Sequence, residues 1–120
     1  MNWVLDKSKA ICPQLSEQLC MKIACGEFLP NEKLLSVREL AVEAGVNPNT
    51  VQHAFEELER LGLLYSIRGS GWYVSEDITA SKEVLEKIRQ EKTTDFFKTM
   101  NTLGLSNVEI KKYVEEWYNE

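Results

Sequence analysis

Residues 36–62 read SVRELAVEAGVNPNTVQHAFEELERLG, and this stretch predicts two helices joined by a tight turn. Ser36 and Glu39 form a capping box, in which the serine hydroxyl accepts from a helix amide and the glutamate accepts from the serine amide. A helix over 37–44 follows, because leucine and alanine recur on one side until Gly45 interrupts the pattern. We expect this first helix to span about two turns.

The second helix of the pair begins after Asn47, which is a favourable N-cap, and Pro48 suits the first helical position. Apolar residues then recur at helical spacing down to Gly62, which predicts a helix over 48–61. This apolar stripe consists of Val51, Ala54, Phe55, Leu58 and Leu61. Two helices joined by a short glycine-containing turn are typical of a helix-turn-helix, whose second helix enters the major groove of DNA.

The residues that flank this motif predict a further helix and a β-hairpin. Residues 63–67 alternate loosely and are β-prone, residues 72–74 are β-prone again, and the RGSG segment over 68–71 is typical of a turn. A hairpin that directly follows a helix-turn-helix is a wing. Ahead of the motif, residues 11–25 carry apolar side chains at helical spacing and predict a helix, followed by a loop over 27–33.

The C-terminal part of the chain predicts two more helices. Residues 81–101 carry spaced apolar side chains, and Gly104 ends that pattern. Ser106 and Glu109 then form a second capping box ahead of a helix over 107–118. We expect this last helix to bury four apolar side chains, namely Val108, Ile110, Val114 and Trp117.

The predicted fold is mostly α with a small β wing. We expect an N-terminal winged helix-turn-helix over residues 1–76 and a short two-helix C-terminal dimerisation tail over 77–120. The tail is too short to enclose a generous ligand cavity, and its two helices carry more apolar surface than they can hide alone. These properties favour a role in pairing two copies of the chain.

Composition excludes several classes of protein. The chain has 120 residues, 43% hydrophobic and 28% charged, as expected for one folded domain with a short extension. No apolar run approaches the ~18 residues of a membrane span, and the N-terminus lacks a secretion signal. We therefore expect a cytoplasmic protein without a membrane partner.

No enzyme or metal site is predicted. The three cysteines, Cys12, Cys20 and Cys25, do not share one face of a helix, and His53 is the single histidine. Motifs for nucleophilic catalysis and for nucleotide binding are absent. The sequence therefore predicts no catalytic residue, no metal ligand and no cofactor.

Four motifs lie in order along the chain. They are Ser36-Val37-Arg38-Glu39-Leu40-Ala41, Gly45-Val46-Asn47-Pro48-Asn49-Thr50-Val51-Gln52, Leu58-Glu59-Arg60-x-Gly62-Leu63 and Arg68-Gly69-x-Gly71-x-Tyr73-Val74. Together with the run from Pro13 through Gly26, they closely resemble the GntR family of bacterial transcription regulators. The VNPNTVQ spelling and the short two-helix tail resemble its YtrA subgroup. The resemblance is strong over residues 10–75 and looser over 76–120.

The resemblance implies a DNA-binding surface on the helix-turn-helix and the wing. Arg38 stands where the family places an arginine against the DNA backbone. Asparagine and glutamine at the start of the recognition helix carry the paired donor and acceptor that read adenine. Gly69 at the wing tip permits a close approach to a groove, with Arg68 as the neighbouring cation. The predicted site comprises Ser36, Arg38, Asn47, Asn49, Thr50, Gln52, His53, Arg68, Gly69, Ser70 and Gly71.

The charge of the chain bears on how it would bind DNA. The net charge is −5, and residues 1–76 hold seven Lys and Arg against ten Asp and Glu. Many family members also carry arginines where this chain has Pro48 and Gln52. A single copy should therefore bind weakly, so we predict a homodimer that combines two half-sites of a pseudo-palindromic operator on double-stranded DNA.

The predicted function is sequence-specific transcription regulation, with the dimer acting as a repressor that occludes a promoter. An effector or partner would relieve repression by changing the angle between the two winged domains, but the sequence identifies no effector. A second hypothesis is a winged-helix protein–protein adaptor without DNA binding, which the acidic charge favours. The combination of Arg38, Asn49 and Gln52 favours DNA instead.

Overall fold

The computed structural model describes residues 2–119, and over these residues it contains five helices and one two-stranded antiparallel hairpin. The elements in chain order are α1 (Ile11–Ala24), α2 (Val37–Ala44), α3 (Pro48–Arg60), β1 (Leu64–Ile67), β2 (Gly71–Val74), α4 (Thr79–Thr102) and α5 (Asn107–Tyr118). Each element lies within two residues of its predicted bounds, so the predicted fold class is confirmed. Among residues 2–119, no helix is long and apolar enough to cross a membrane.

The helix-turn-helix is set by local caps. Ser36 Oγ accepts from the Glu39 amide at 3.1 Å, and the Glu39 carboxylate accepts from the Ser36 amide at 3.1 Å, which starts α2. Gly45 ends α2 with a φ of 69°, in the left-handed region that other residues rarely adopt. The side chain of Asn47 then caps the first turn of α3. Three residues, 45–47, therefore separate the two helices.

The core of the winged part forms where α1 and α2 pack against α3. Six apolar side chains of this core are at most 2% exposed, and three of them belong to the predicted stripe of α3: Leu15, Leu19, Leu40, Val51, Phe55 and Leu58. The Phe55 ring also meets Trp72 of β2 edge to face, with 5.5 Å between the ring centroids. The wing is therefore anchored directly to the recognition helix α3.

A short segment ahead of α2 pairs with the wing, where the sequence predicts a loop over 27–33. The Asn31 amide donates to the Val74 carbonyl at 2.8 Å, and the Leu34 amide donates to the Trp72 carbonyl at 2.8 Å. A proline and the lack of alternation conceal this pairing in the sequence. It joins the approach to α2 to the hairpin through the backbone.

Two compact units make up the chain, the first extending through Leu85 and the second starting at Glu86. The first turn of α4 packs within the first unit: Ser81 is buried, and the Cys20 thiol donates to the Ser81 carbonyl at 3.6 Å. The expected boundary at residue 76 between a DNA-binding part and a dimerisation part stays a prediction. We call the two compact units the winged unit and the C-terminal unit.

In the C-terminal unit, α5 begins at its predicted capping box, with Ser106 Oγ accepting from the Glu109 amide at 3.3 Å. Ile110 is fully buried as predicted. The prediction is wrong for Val108, Val114 and Trp117, which are 80%, 44% and 76% exposed. Val114 and Trp117 instead line an open groove with Phe96 and Met100 of α4.

Candidate nucleic-acid interface

The outward face of α3, which we define as Asn49, Gln52, His53 and Glu56, lies opposite the buried stripe. At about 100° per residue these four positions fall within an arc of about 100°. Asn49, His53 and Glu56 are exposed and Gln52 is half-buried. On the other side of the helix, the stripe residues Val51, Ala54, Phe55 and Leu58 are at most 1% exposed. The outward face is thus the solvent-facing side of α3, the side that a recognition helix places in the major groove of DNA.

The first turn of α3 holds two predicted site residues in structural contacts. Asn47 Oδ1 accepts from the Asn49 amide at 2.8 Å, so this oxygen serves the cap and the Asn47 amino group remains to donate. The Thr50 amide donates to the Asn47 carbonyl at 3.0 Å, and Thr50 is half-buried. By contrast, the exposed Asn49 side chain makes no hydrogen bond with any of residues 2–119.

Gln52 is held by a residue that the sequence analysis missed. Its Nε2 donates to Glu56 Oε1 at 2.9 Å, one helical turn further along α3. A carboxylate can only accept, so the amide nitrogen faces Glu56 and the amide oxygen faces away. The spacing of four residues between an amide and a carboxylate is the signal that could have revealed this pair.

The N-terminus of α2 places Ser36 and Arg38 beside each other. The Ser36 hydroxyl accepts from the Glu39 amide, which leaves its hydrogen able to donate to a further partner. Hydrogen bonds from the backbone and side chain of Ser36, assisted by the charge of Lys33, hold the pKa of Glu39 below its ordinary value. With Arg38 exposed, the positive end of the helix dipole and a guanidinium are both available to a phosphate.

The wing tip is a tight turn that presents Arg68. The Ser70 amide donates to the Ile67 carbonyl at 2.9 Å, and Gly69 has a φ of 81°, as in a type II turn. A Cβ added at Gly69 would meet nothing within 4 Å, so the backbone angle rather than crowding requires glycine. The Ser70 hydroxyl hydrogen-bonds to the Tyr73 hydroxyl, which directs it along the hairpin.

The four arginines of the chain fall into two groups. Arg60 and Arg89 each pair with the glutamate three residues earlier in the same helix. Arg38 and Arg68 make no ion pair within residues 2–119. The two arginines that the described part of the chain leaves unneutralised are therefore those that the family resemblance assigns to DNA.

Two lysines outside the predicted site lie next to its elements. Lys7 Nζ donates to the Gly45 carbonyl at 2.9 Å, in the turn between α2 and α3. The Lys33 side chain lies against the hairpin, with its Cε 3.2 Å from the position of a Cβ added at Gly71. Neither lysine belongs to a local motif, and the Lys7 contact joins residues 38 positions apart, so sequence patterning carries no signal for it.

The Lys7 contact depends on how the preceding arm is held. The Asp6 amide donates to Gln14 Oε1 at 2.7 Å, and the Val4 amide donates to Gln18 Oε1 at 3.0 Å. Both glutamines also donate back to backbone carbonyls of the arm. Two side-chain amides one turn apart on α1 thus hold the arm in place and direct Lys7 to the turn.

The three cysteines differ in burial. Cys20 is buried, and this burial, with a smaller effect of Glu17, raises the pKa of its thiol to about 11. Cys12 is half-buried and Cys25 is exposed. Within residues 2–119, no three His, Cys, Asp or Glu side chains lie close enough together to hold a metal ion.

Comparison with known proteins places the chain in a family. Residues 13–74 match the family described as "Bacterial regulatory proteins, gntR family". The uncharacterized HTH-type transcriptional regulator YhcF of Bacillus subtilis is 39% identical over 110 residues, which cover 92% of this chain and 91% of that protein. The HTH-type transcriptional repressor YtrA of Bacillus subtilis is 48% identical over 64 residues, 53% of this chain and 47% of that protein.

Solved structures agree with these relatives. A GntR family transcriptional regulator from Listeria monocytogenes matches with a TM-score of 0.80 and 36% identity, over 93% of this chain and 98% of that one. AraR(DBD) in complex with operator ORE1 matches with a TM-score of 0.53 and 30% identity, over 62% of this chain and 94% of that one. The named relatives are transcription regulators and not enzymes. From its motifs, its winged fold and these matches, the chain belongs to the GntR family of bacterial transcription regulators, among relatives that include YtrA.

Proposed function

We propose that this chain is a homodimeric transcription repressor that binds a pseudo-palindromic operator through α3 and the wing. The observation that carries the proposal is the outward polar face of α3 on a unit where Arg38, at the N-terminus of α2, and Arg68, at the wing tip, make no ion pair with any of residues 2–119. Two relatives support it, since one is named a repressor and one was solved with operator DNA.

In this proposal the side chains divide into base readers and backbone contacts. Asn49 and Gln52 read base edges in the major groove, because each presents an amide donor and acceptor. His53, exposed on the same outward face, contacts the groove beside them. The remaining predicted residues position the unit on phosphates or in the adjacent groove: Ser36, Arg38, Asn47, Thr50, Arg68, Gly69, Ser70 and Gly71.

The C-terminal unit supplies the surface for a second copy. An open groove of about 570 Å³ lies between its two helices and is lined by Phe96, Met100, Tyr113, Val114, Glu116 and Trp117. Exposed aromatic and aliphatic groups at that density are typical of an interface. A second copy suits the need set by the charge, because two weak DNA-binding units on one two-fold axis gain affinity through effective concentration.

Regulation follows from this arrangement. The dimer occupies a promoter in the cytoplasm and blocks transcription, and an effector or partner that favours another angle between the two winged units releases it. We propose residues 1–76 as the DNA-binding part and 77–120 as the dimerisation part, with the start of α4 packed on the former.

Selection of bound sequences from random duplex DNA, followed by titration at several salt concentrations, tests the function. We expect two related half-sites one or more helical turns apart and a modest salt slope, because few cations face the DNA. A protein that binds its best selected duplex no better than random duplex would instead be the protein–protein adaptor that the acidic charge favours.

A further inference from the structure

We infer that Glu56 is a positioning residue that fixes the orientation of the Gln52 amide, and thereby determines which way round Gln52 reads a base pair. The inference rests on the proposed function, since it requires α3 to enter the major groove. It concerns a residue that neither the motifs of the sequence nor the family resemblance singled out.

The geometry of the pair leaves one orientation for the amide. Gln52 Nε2 donates to Glu56 Oε1 at 2.9 Å. Rotating the amide by 180° would set the Gln52 oxygen against the carboxylate, and two acceptors at that distance repel each other. The nitrogen therefore faces the C-terminal end of α3, and the oxygen faces the N-terminal end.

This fixed orientation is compatible with base reading. In the major groove adenine offers an acceptor, N7, beside a donor, the N6 amino group. The Gln52 oxygen accepts from N6, and the second hydrogen of Nε2 donates to N7 while the first stays on Glu56. Because oxygen and nitrogen have set places along the groove, Gln52 distinguishes A·T from T·A at its position. A glutamine free to rotate would accommodate both.

Glu56 also places a negative charge on the outward face, where it opposes the phosphates. Its charge and its hydrogen bond can be separated by substitution. Glu56→Gln removes the charge but keeps an oxygen that accepts from Gln52, whereas Glu56→Ala removes both. Glu56 is exposed, so neither change disturbs the core.

The experiment compares full-length wild type, Glu56→Gln, Glu56→Ala and Gln52→Ala on the selected operator and on duplexes with single base pairs inverted. The base pair that loses selectivity in Gln52→Ala is the one read by Gln52. There we expect wild type and Glu56→Gln to prefer one orientation by about 5-fold to 100-fold, the range for a bidentate contact. Glu56→Ala should fall toward the value of Gln52→Ala. Both Glu56 variants should bind every duplex more tightly than wild type.

A control separates charge from position. Glu57→Gln removes one carboxylate from α3 at a residue that pairs with Arg60, whereas Gln52 pairs with Glu56. We expect it to leave the orientation preference unchanged. Full selectivity in Glu56→Ala would overturn the positioning role while the function stands, and so would loss of selectivity at some other base pair alone. A wild type with no preference among duplexes would instead refute the proposed function.

Discussion

The winged unit and the C-terminal unit differ in how many of their apolar side chains they bury. In the winged unit Leu15, Val51 and Phe55 are completely buried, and three helices with the wing close around them. In the C-terminal unit Ile110 is buried while Val108 and Trp117 are 80% and 76% exposed. The winged unit therefore buries its central apolar residues within one chain, and the larger exposed share in the C-terminal unit supports the proposal that a second copy covers it.

The largest effect should follow from removing the C-terminal unit. We expect a chain truncated after Leu85 to stay folded, to sediment as a monomer and to lose about 10²-fold to 10⁴-fold in operator affinity, because the gain from effective concentration disappears. Binding to a single half-site should persist. Sedimentation combined with titration of whole and half operators measures this. A truncated chain that still dimerises would place the interface in the winged unit.

Substitution of one aromatic residue in each unit tests the same difference in burial. Phe55→Ala should lower the free energy of unfolding by about 3–5 kcal/mol, since it leaves a cavity between α3 and the wing. Trp117→Ala removes an exposed ring, so it should change the stability of the isolated chain little but weaken dimerisation. Denaturant unfolding at several protein concentrations separates the two effects. Equal losses of unfolding free energy in Phe55→Ala and Trp117→Ala at low protein concentration would contradict this difference between the two units.

The part of the fold that the sequence predicts well is the part specified by near neighbours. The capping boxes, Gly45 and the stripe through Phe55 act within one or two turns, so α2 and α3 are found to within a residue. The backbone pairing of 31–34 with the wing and the Lys7 contact join distant parts of the chain. Their energies depend on the assembled core, which no local pattern encodes.

The residues of the candidate site also differ in how far local sequence patterns predict their roles. Helical spacing alone places Asn49 and Gln52 outward, and Arg38 and Arg68 follow from the resemblance. The role of Asn47 as a cap is also readable, because an asparagine followed by proline starts a helix. The hydrogen bond between Gln52 and Glu56 was also predictable from the sequence, because an amide and a carboxylate four residues apart lie next to each other on a helix. The sequence analysis treated Gln52 only as a contact for DNA.

Side chains of the predicted DNA-binding site should affect DNA binding in two distinct ways. Asn49→Ala should reduce discrimination between bases by about 1–3 kcal/mol if its contact is bidentate, with little change for random duplex. Arg38→Ala should weaken all duplexes alike and lower the salt slope by about 1, because it removes a phosphate contact. Competition titrations at several salt concentrations give both quantities. If Arg38→Ala altered which bases are preferred while Asn49→Ala did not, the two roles would have to be exchanged.

The smallest expected effect is a pH dependence that arises from the capping boxes at the starts of α2 and α5. Hydrogen bonds from Ser36 and from Ser106 hold the pKa values of Glu39 and Glu109 below their ordinary value of 4.5. A carboxylate whose pKa is lowered in the folded state stabilises the fold above its ordinary pKa. That contribution is lost as the pH falls through the lowered folded value. Both caps should therefore weaken in acid, below about pH 4.5.

Glutamine variants isolate each cap, because glutamine accepts the same hydrogen bond but does not titrate between pH 3 and pH 6. We expect the stability of Glu39→Gln to fall less steeply with acid than that of wild type, measured as the unfolding midpoint of the winged unit. Glu109→Gln should do the same for dimerisation and leave that midpoint unchanged. Asp77 serves as a background carboxylate, since Thr79 lowers its pKa in every variant alike. Identical acid profiles for wild type and Glu39→Gln would mean that the cap of α2 carries no pH dependence. The contrast between the units would then rest on their apolar surfaces alone.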